Sequence, residues 1–167
     1  YVRAIDALLE SAQTDGFSVE GIGISIPGSV NPITRRPVQV PMFPTLNGFP
    51  LSDLLENRYH VSTVLHADVD AAILGEHFFG VGGEQQRLLF LTMNAVVGAS
   101  FVADGRLERE GKQYIGHICH VPISTSGPRC SCGKYGCINT LISIDAMKRM
   151  VQRALRRVSP SSESFLL

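Results

Sequence analysis

The sequence has no charge excess of either sign and no long apolar run. It carries 15 lysine and arginine residues against 15 aspartate and glutamate residues, whereas nucleic-acid and membrane surfaces usually need a positive excess. No apolar stretch approaches the roughly 20 residues that span a bilayer, and the first residues do not have the pattern of a signal peptide. These absences predict a soluble, cytoplasmic protein without a membrane partner.

The sequence also has no internal repeat, and its cysteines are not spread along the chain. Four cysteines lie within nineteen residues, from Cys119 to Cys137. Disulfide-stabilised proteins usually spread their cysteines to close long loops, so tight clustering in a cytosolic protein indicates a metal site. A hydrophobic content of 44% excludes a disordered chain.

The hydrophobic pattern predicts helices and strands in alternation. It predicts helices over residues 2–14, 52–59, 68–79 and 143–158, and strands over 21–28, 61–65, 87–93 and 97–103. Ser52 is the expected cap of its helix, the pair Asp104-Gly105 predicts a hairpin, and the proline-rich stretch 31–48 predicts a long functional loop. Glycines at 80, 82 and 83 mark a predicted boundary between two α/β lobes, residues 1–84 and 85–167.

Three of the cysteines have the spacing of a zinc loop. Cys130, Cys132 and Cys137 supply thiolates at spacings of two and five, and two intervening glycines allow a tight backbone. Structural zinc takes four tetrahedral thiolate and imidazole ligands. The fourth ligand is expected close by, with three candidates in the order His117 and His120, then Cys119. Buried free cysteines are the less favoured alternative, and a catalytic zinc is disfavoured because no carboxylate lies nearby to serve as a base.

The pattern Gly116-His117 followed by Cys130-x-Cys132-Gly-x-x-Gly136-Cys137 resembles the zinc signature of the ROK family, which comprises bacterial sugar kinases and sugar-responsive transcriptional repressors. Residues 21–31 resemble the family's strand and loop after the first helix, and residues 68–80 resemble the helix that starts with its catalytic aspartate. The resemblance implies an actin-like, ribonuclease-H-like (sugar kinase-type) two-lobed α/β fold, partial in this chain. It also implies a zinc loop over 117–137 and a sugar between the lobes.

The resemblance assigns roles to individual residues. It implies structural zinc on His117, Cys130, Cys132 and Cys137, although His120 fits the family's usual spacing better. In the family's kinases the aspartate at the position of Asp68 is the general base, whereas a plain helix cap is the alternative from the residue itself. The implied ligand positions are Thr45, Asn47, Ala67, Asp68, Tyr114, His117 and Asn139.

Several of these positions depart from the family pattern. Ala67 and Thr45 replace asparagines, while Tyr114 and Asn139 replace glutamates that would accept sugar hydroxyls. Losing both carboxylates removes roughly 1.5–3 kcal/mol for each charged hydrogen bond. We therefore expect a ligand that is not an ordinary glucose-like sugar, or a vestigial site.

The phosphate-binding stretch departs as well. The family's Gly-Thr-Gly-Ile-Gly is replaced by residues 94–98, Asn-Ala-Val-Val-Gly. Glycines are needed there so that backbone N–H groups can approach a phosphate, so ATP is not an expected cofactor. The sequence therefore favours a sugar-sensing transcriptional regulator, with a sugar kinase that uses Asp68 and a paralogue that binds no sugar as the alternatives.

The remaining expectations concern partners. The chain begins in a helix without a Met and stops just past another helix, so we expect a part of a longer protein. DNA would be bound through a domain absent from this chain, and exposed apolar surface predicts a homo-oligomer. A basic cluster at helical spacing predicts a solvated face, with a phosphate or DNA surface as the alternative: Arg149, Arg153, Arg156 and Arg157.

Overall fold

The computed structural model describes residues 2–83, 85–108 and 118–158. The chain divides into two compact units, residues 1–71 and residues 72–167. This division falls inside a helix and precedes the lobe boundary that the sequence predicts after residue 84. The predicted boundary between the family's two lobes stays a prediction.

The first unit is built on a short parallel sheet. Its elements are α1 (Val2–Thr14), β1 (Gly21–Ile26), β2 (Ser29–Asn31), β3 (Arg36–Gln39), a short 3-10 helix (Pro44–Leu46), α2 (Leu51–Tyr59) and β4 (Ser62–Ala67). Strand β1 pairs with β4 in parallel, with Gly21 opposite Ser62 and Ile26 opposite Ala67. The buried core beside this sheet consists of Ile26, Val30, Val40 and Leu65.

Part of the predicted loop 31–48 is a hairpin, so that prediction was wrong for its first half. Strands β2 and β3 pair in an antiparallel manner, and the side chain of Asn31 accepts the N–H groups of Ile33 and Thr34 at 2.9 and 3.0 Å. Pro37 lies within β3. In the described part of the chain β3 has a single neighbouring strand, so a residue without an N–H fits at this edge.

The predicted cap of α2 was also wrong. The helix begins at Leu51 after Pro50, which places Ser52 inside its first turn. Ser52 is 1% exposed, and its hydroxyl has no hydrogen-bond partner among the described residues. The helix ends at His60, which has a left-handed backbone conformation and donates its N–H to the carbonyl of Glu56.

The second unit contains an antiparallel sheet followed by the cysteine loop. After α3 (Asp68–Phe79), which spans the division, come β5 (Arg87–Met93), β6 (Val97–Ala103), β7 (Arg106–Leu107), a 3-10 helix (Ile118–His120), α4 (Ile138–Ile142) and α5 (Ile144–Val158). Strands β5 and β6 pair from Arg87–Ala103 to Met93–Val97, over the predicted ranges. The predicted hairpin at Asp104-Gly105 is confirmed, since both residues have positive φ and join β6 to β7.

Helix α4 was not predicted, because its five residues are too few to show a helical period. Ser143 separates α4 from α5, and its hydroxyl accepts the N–H of Ala146 at 3.2 Å, which caps α5. Across the described ranges, no helix is both long and apolar enough to cross a membrane.

Candidate metal centre and ligand positions

The structure gathers three cysteines and one histidine into a group that could hold a metal ion. The ligand atoms of His120, Cys130, Cys132 and Cys137 all lie within 4.8 Å of one another. The His120 Nδ1 lies 3.3 Å from the Cys130 Sγ, and the Sγ atoms of Cys132 and Cys137 are 3.7 Å apart. Two ligands of one tetrahedral zinc ion lie roughly 3.5–3.8 Å apart, since each bond measures about 2.0–2.3 Å. The donor set therefore fits zinc, and the separations of 3.3 and 3.7 Å are close to those of ligands on one zinc ion.

The backbone of the cysteine loop requires both of its glycines. Gly133 has φ +91° and Gly136 has φ +61°, a region that side chains with a Cβ rarely adopt. A Cβ on Gly136 would overlap the carbonyl group of Ser124, whereas a Cβ on Gly133 would meet open space. The loop is closed by backbone hydrogen bonds from the Cys130 N–H to the Lys134 carbonyl and from the Gly136 N–H to the Pro128 carbonyl, at 2.8 and 2.9 Å.

The three thiols have different environments. Cys130 and Cys137 are buried, while Cys132 is exposed. The N–H of Cys132 hydrogen-bonds the Cys130 sulfur and lowers the pKa of Cys130 to about 6, whereas burial raises the pKa of Cys137 to about 12. A metal ion must therefore displace a proton from Cys137, so the affinity of the group for a metal decreases as the pH falls.

The fourth position of the group is occupied by His120, the alternative that fits the family's spacing. His120 lies ten residues before Cys130, whereas His117 lies thirteen residues before it and is outside the described residues. Cys119 is buried, and that burial raises the pKa of its thiol, but it does not belong to the group. The role of His117 as a metal ligand stays a prediction.

Asn139, one of the predicted ligand positions, bonds to the backbone of the turn between β5 and β6. Its side-chain Oδ1 accepts the N–H of Val97 at 2.8 Å. At the other side of the same turn, the N–H of Ile144 donates to the carbonyl of Asn94 at 3.1 Å. This turn, which the sequence predicts to correspond to the family's phosphate-binding stretch, is thus held at both ends by residues that follow the last cysteine of the metal group.

The predicted ligand positions of the first unit lie at two places. Ala67 ends β4 and Asp68 begins α3, and the carboxylate of Asp68 is exposed and accepts the N–H of Val69 at 2.9 Å. A helix cap would accept from the second or third residue onward instead. Thr45 is exposed in the 3-10 helix, while the Asn47 side chain accepts the N–H of Val40 at 2.9 Å and closes its own loop.

Tyr114 and His117 lie outside the described residues. The bond from Asn139 to Val97 joins residues 42 positions apart. The sequence identifies residues 94–98 and Asn139 as departures from the family pattern. No pattern in the sequence indicates that Asn139 bonds to Val97.

Comparisons with known proteins agree on the family. A model of the ROK family matches residues 1–164. The chain is 32% identical over 163 residues to a glucokinase of Thermotoga maritima, covering 95% of this chain and 50% of that protein. It is 26% identical over 156 residues to NagC, a DNA-binding transcriptional dual regulator of Escherichia coli K12, covering 93% of this chain and 38% of that protein.

Solved structures give the same result. A ROK family transcriptional regulator, a homologue of the E. coli Mlc protein, matches with a TM-score of 0.83 at 27% identity, over 96% of this chain and 41% of that chain. A ROK hexokinase from Thermus thermophilus matches with a TM-score of 0.73 at 29% identity, over 93% of this chain and 52% of that chain. The chain spans about half the length of these relatives or less. It has part of the actin-like, ribonuclease-H-like sugar-kinase fold, and it belongs to the ROK family.

Proposed function

We propose that this chain is the effector-binding part of a ROK-type transcriptional regulator, in which a sugar or sugar phosphate is the effector. DNA would be bound by a domain outside this sequence. The observation that carries the proposal is the turn between β5 and β6, at the position of the family's phosphate-binding stretch.

The turn is unsuited to a nucleotide phosphate. A phosphate cradle needs free backbone N–H groups and little side-chain bulk around them. The N–H of Val97 is already committed to Asn139 at 2.8 Å. Val96 stands where the family pattern has a glycine, and its side chain is 54% exposed beside the turn, so it adds bulk that a glycine would not. A regulator needs ligand binding and not phosphoryl transfer, and therefore tolerates this change.

A sugar effector is supported by the relatives and by Asp68. Similar regulators include N-acetylglucosamine repressors of E. coli and a xylose repressor of Caldicellulosiruptor bescii. The exposed carboxylate of Asp68 at the start of α3 is a group that accepts sugar hydroxyls. Asn139 has an amide where the family pattern has a glutamate, and its Oδ1 accepts the N–H of Val97. The preferred sugar would therefore differ from those of relatives that have the carboxylate.

The metal group would have a structural role. Three thiolates and one imidazole fill the four positions of a tetrahedral zinc ion and leave no open position for chemistry. We propose His120, Cys130, Cys132 and Cys137 as the ligands, on the strength of their mutual distances.

The test is calorimetric titration of the full-length protein, with its zinc content measured, against hexoses, amino sugars and their 6-phosphates, with and without ATP. We expect one sugar to bind without ATP, and an Asp68→Asn variant to bind it at least about tenfold more weakly, since a charged hydrogen bond contributes roughly 1.5–3 kcal/mol. ATP-dependent phosphorylation of a sugar would overturn the proposal.

A sugar kinase is the second candidate, because the glucokinase of Thermotoga maritima is 32% identical to this chain. In that case Asp68 would be the general base. Phosphorylation by the wild type and its loss in the Asp68→Asn variant would support this candidate.

We also propose that the 167-residue chain self-associates. In the described part of the second unit, β5 is an edge strand of its sheet, and edge strands readily pair with another chain. One face of β5 presents exposed apolar side chains, at 58% for Leu89, 58% for Leu91 and 55% for Met93. The occupant that we propose for this face is a second copy of the chain.

A further inference from the structure

The β5–β6 turn and the metal group are connected by a very short path. Cys137 precedes α4 as its cap residue, and Asn139 lies only two residues further along. The hydroxyl and the N–H of Thr140 both donate to the Cys137 carbonyl, at 2.8 and 2.9 Å. The start of α4 is therefore fixed directly on a cysteine of the metal group.

The other contacts of α4 reinforce this connection. The N–H of Ile138 donates to the carbonyl of Val121 at 3.0 Å, and Val121 follows His120. Both chain segments of the metal group thus meet at the first turn of α4, the turn that carries Asn139.

We propose that the metal centre controls the β5–β6 turn through Asn139, which acts as a positioning residue. A bound metal ion would fix Cys137 and so keep the Asn139 Oδ1 in its bond to the Val97 N–H, which measures 2.8 Å. Without the metal, α4 has little stability of its own, because it has only five residues. The Val97 N–H then loses the Asn139 side chain as its acceptor. This inference rests on the metal part of the proposed function and is independent of the sugar effector.

Two variants and one control separate this role from general stability. Asn139→Leu keeps the approximate size of the side chain and removes the acceptor, whereas Asn139→Asp keeps an acceptor oxygen. Ile142→Val, in the same helix, changes a side chain that is 39% exposed and leaves Asn139 and Thr140 in place. The Asp104 N–H, which donates to the Gln86 carbonyl at 2.8 Å at the far end of the β5–β6 pair, serves as the internal reference.

The readout is amide hydrogen exchange at Val97 and Asp104 in the full-length zinc-loaded protein, before and after removal of zinc by a chelator. We expect metal removal to accelerate exchange at Val97 about tenfold while Asp104 changes less than about twofold. In Asn139→Leu, Val97 should exchange fast with or without zinc, and Asn139→Asp and Ile142→Val should behave as the wild type does.

Three results would overturn the proposal. Unchanged exchange at Val97 after the zinc has been removed would show that the metal does not control the turn. Zinc-dependent protection that persists in Asn139→Leu would show that Asn139 is not the connection. Equal acceleration at Val97 and Asp104 would show that zinc stabilises the whole unit instead. A protein that never binds zinc would overturn the metal assignment as well, and the zinc content identifies that case separately from a failure of sugar binding.

Discussion

Gly136 is the residue on which the shape of the cysteine loop depends most directly. Its φ of +61° and the close approach of the Ser124 carbonyl both exclude a side chain. We expect Gly136→Ala to destabilise the protein by about 3 kcal/mol or more and to lower its zinc content. Gly133→Ala is the matched control, because its φ of +91° is strained but a Cβ there meets open space, and it should cost only about 1 kcal/mol. Urea unfolding and zinc analysis measure both effects, and equal losses would contradict the role of the clash.

The described residues include only one of the two histidines that the sequence offers as the fourth zinc ligand. His120 is within 3.3 Å of Cys130, whereas His117 is outside the described residues. We expect His120→Ala to lose zinc to a chelator at least about tenfold more readily than the wild type, and His117→Ala to retain it, because removing one of four ligands opens the coordination shell. Zinc transfer to a colorimetric chelator provides the measurement. The reverse outcome would assign the fourth position to His117.

The cysteine ligands could be predicted from residue types and spacing, but the partner of Asn139 could not. Three thiolates framed by two glycines are a local pattern that one chemistry explains. The hydrogen bond from Asn139 to Val97 depends on how α4 packs beside the sheet, across 42 residues of sequence. The resemblance to the family therefore predicted the loss of a carboxylate at residue 139, but it did not predict that the amide of Asn139 would bond to Val97.

At the scale of elements, the ion pair between Arg35 and Glu56 links the β2–β3 hairpin to α2 and β4. The carboxylate of Glu56 also accepts the N–H of Thr63 at 2.9 Å, and Arg35 donates to the Thr63 carbonyl at 3.0 Å. The hydrogen bond from Arg35 is the main cause that lowers the pKa of Glu56 below its ordinary value of 4.5. Because the folded pKa is the lower one, this contribution to stability is present above about pH 4.5 and is lost as the pH falls through the folded pKa.

We therefore expect the free energy of unfolding of Glu56→Gln to lie below that of the wild type at pH 7, with the difference narrowing as the pH falls below about 4.5. Urea unfolding across this range measures it. Glu10→Gln is the control, because Glu10 forms no ion pair in the described part of the chain, and its difference from the wild type should not narrow in this way. A Glu56→Gln difference that stays constant with pH would contradict the prediction.

The sequence predicted those elements in which apolar residues recur at a regular spacing over enough positions to show a helical or strand period. Helix α1 and strands β5 and β6 have the predicted ranges, since their apolar residues repeat with a clear spacing. Strand β3 was not predicted, because a proline such as Pro37 is disfavoured in a strand. Its position at an edge depends on which strands pair, and that is set by the tertiary fold.

At the scale of the whole molecule, the relatives divide between enzymes and regulators at comparable identity, with glucokinase at 32% and NagC at 26%. Family membership therefore settles the fold and leaves the activity to the details of the site. The strongest such detail is that Val97, in the turn at the phosphate position, already has an internal partner. A change of function within a shared fold needs no more than such local substitutions.

The exposed face of β5 leads to a prediction for the molecule in solution. Leu89 and Leu91 lie on one face of β5, which is at the edge of its sheet among the described residues, and are each 58% exposed. Water therefore contacts apolar surface that a second chain would cover. We expect the 167-residue chain to sediment above its monomer mass, with the fraction of oligomer rising with concentration. The double variant Leu89→Thr and Leu91→Thr introduces polar, β-branched residues that suit a strand and should shift the protein toward the monomer. Leu8→Thr changes a leucine of α1 that is 70% exposed and serves as the control, since it should leave the mass unchanged. A monomeric wild type, or an oligomer that the β5 variant does not weaken, would show that this face is not where the copies meet.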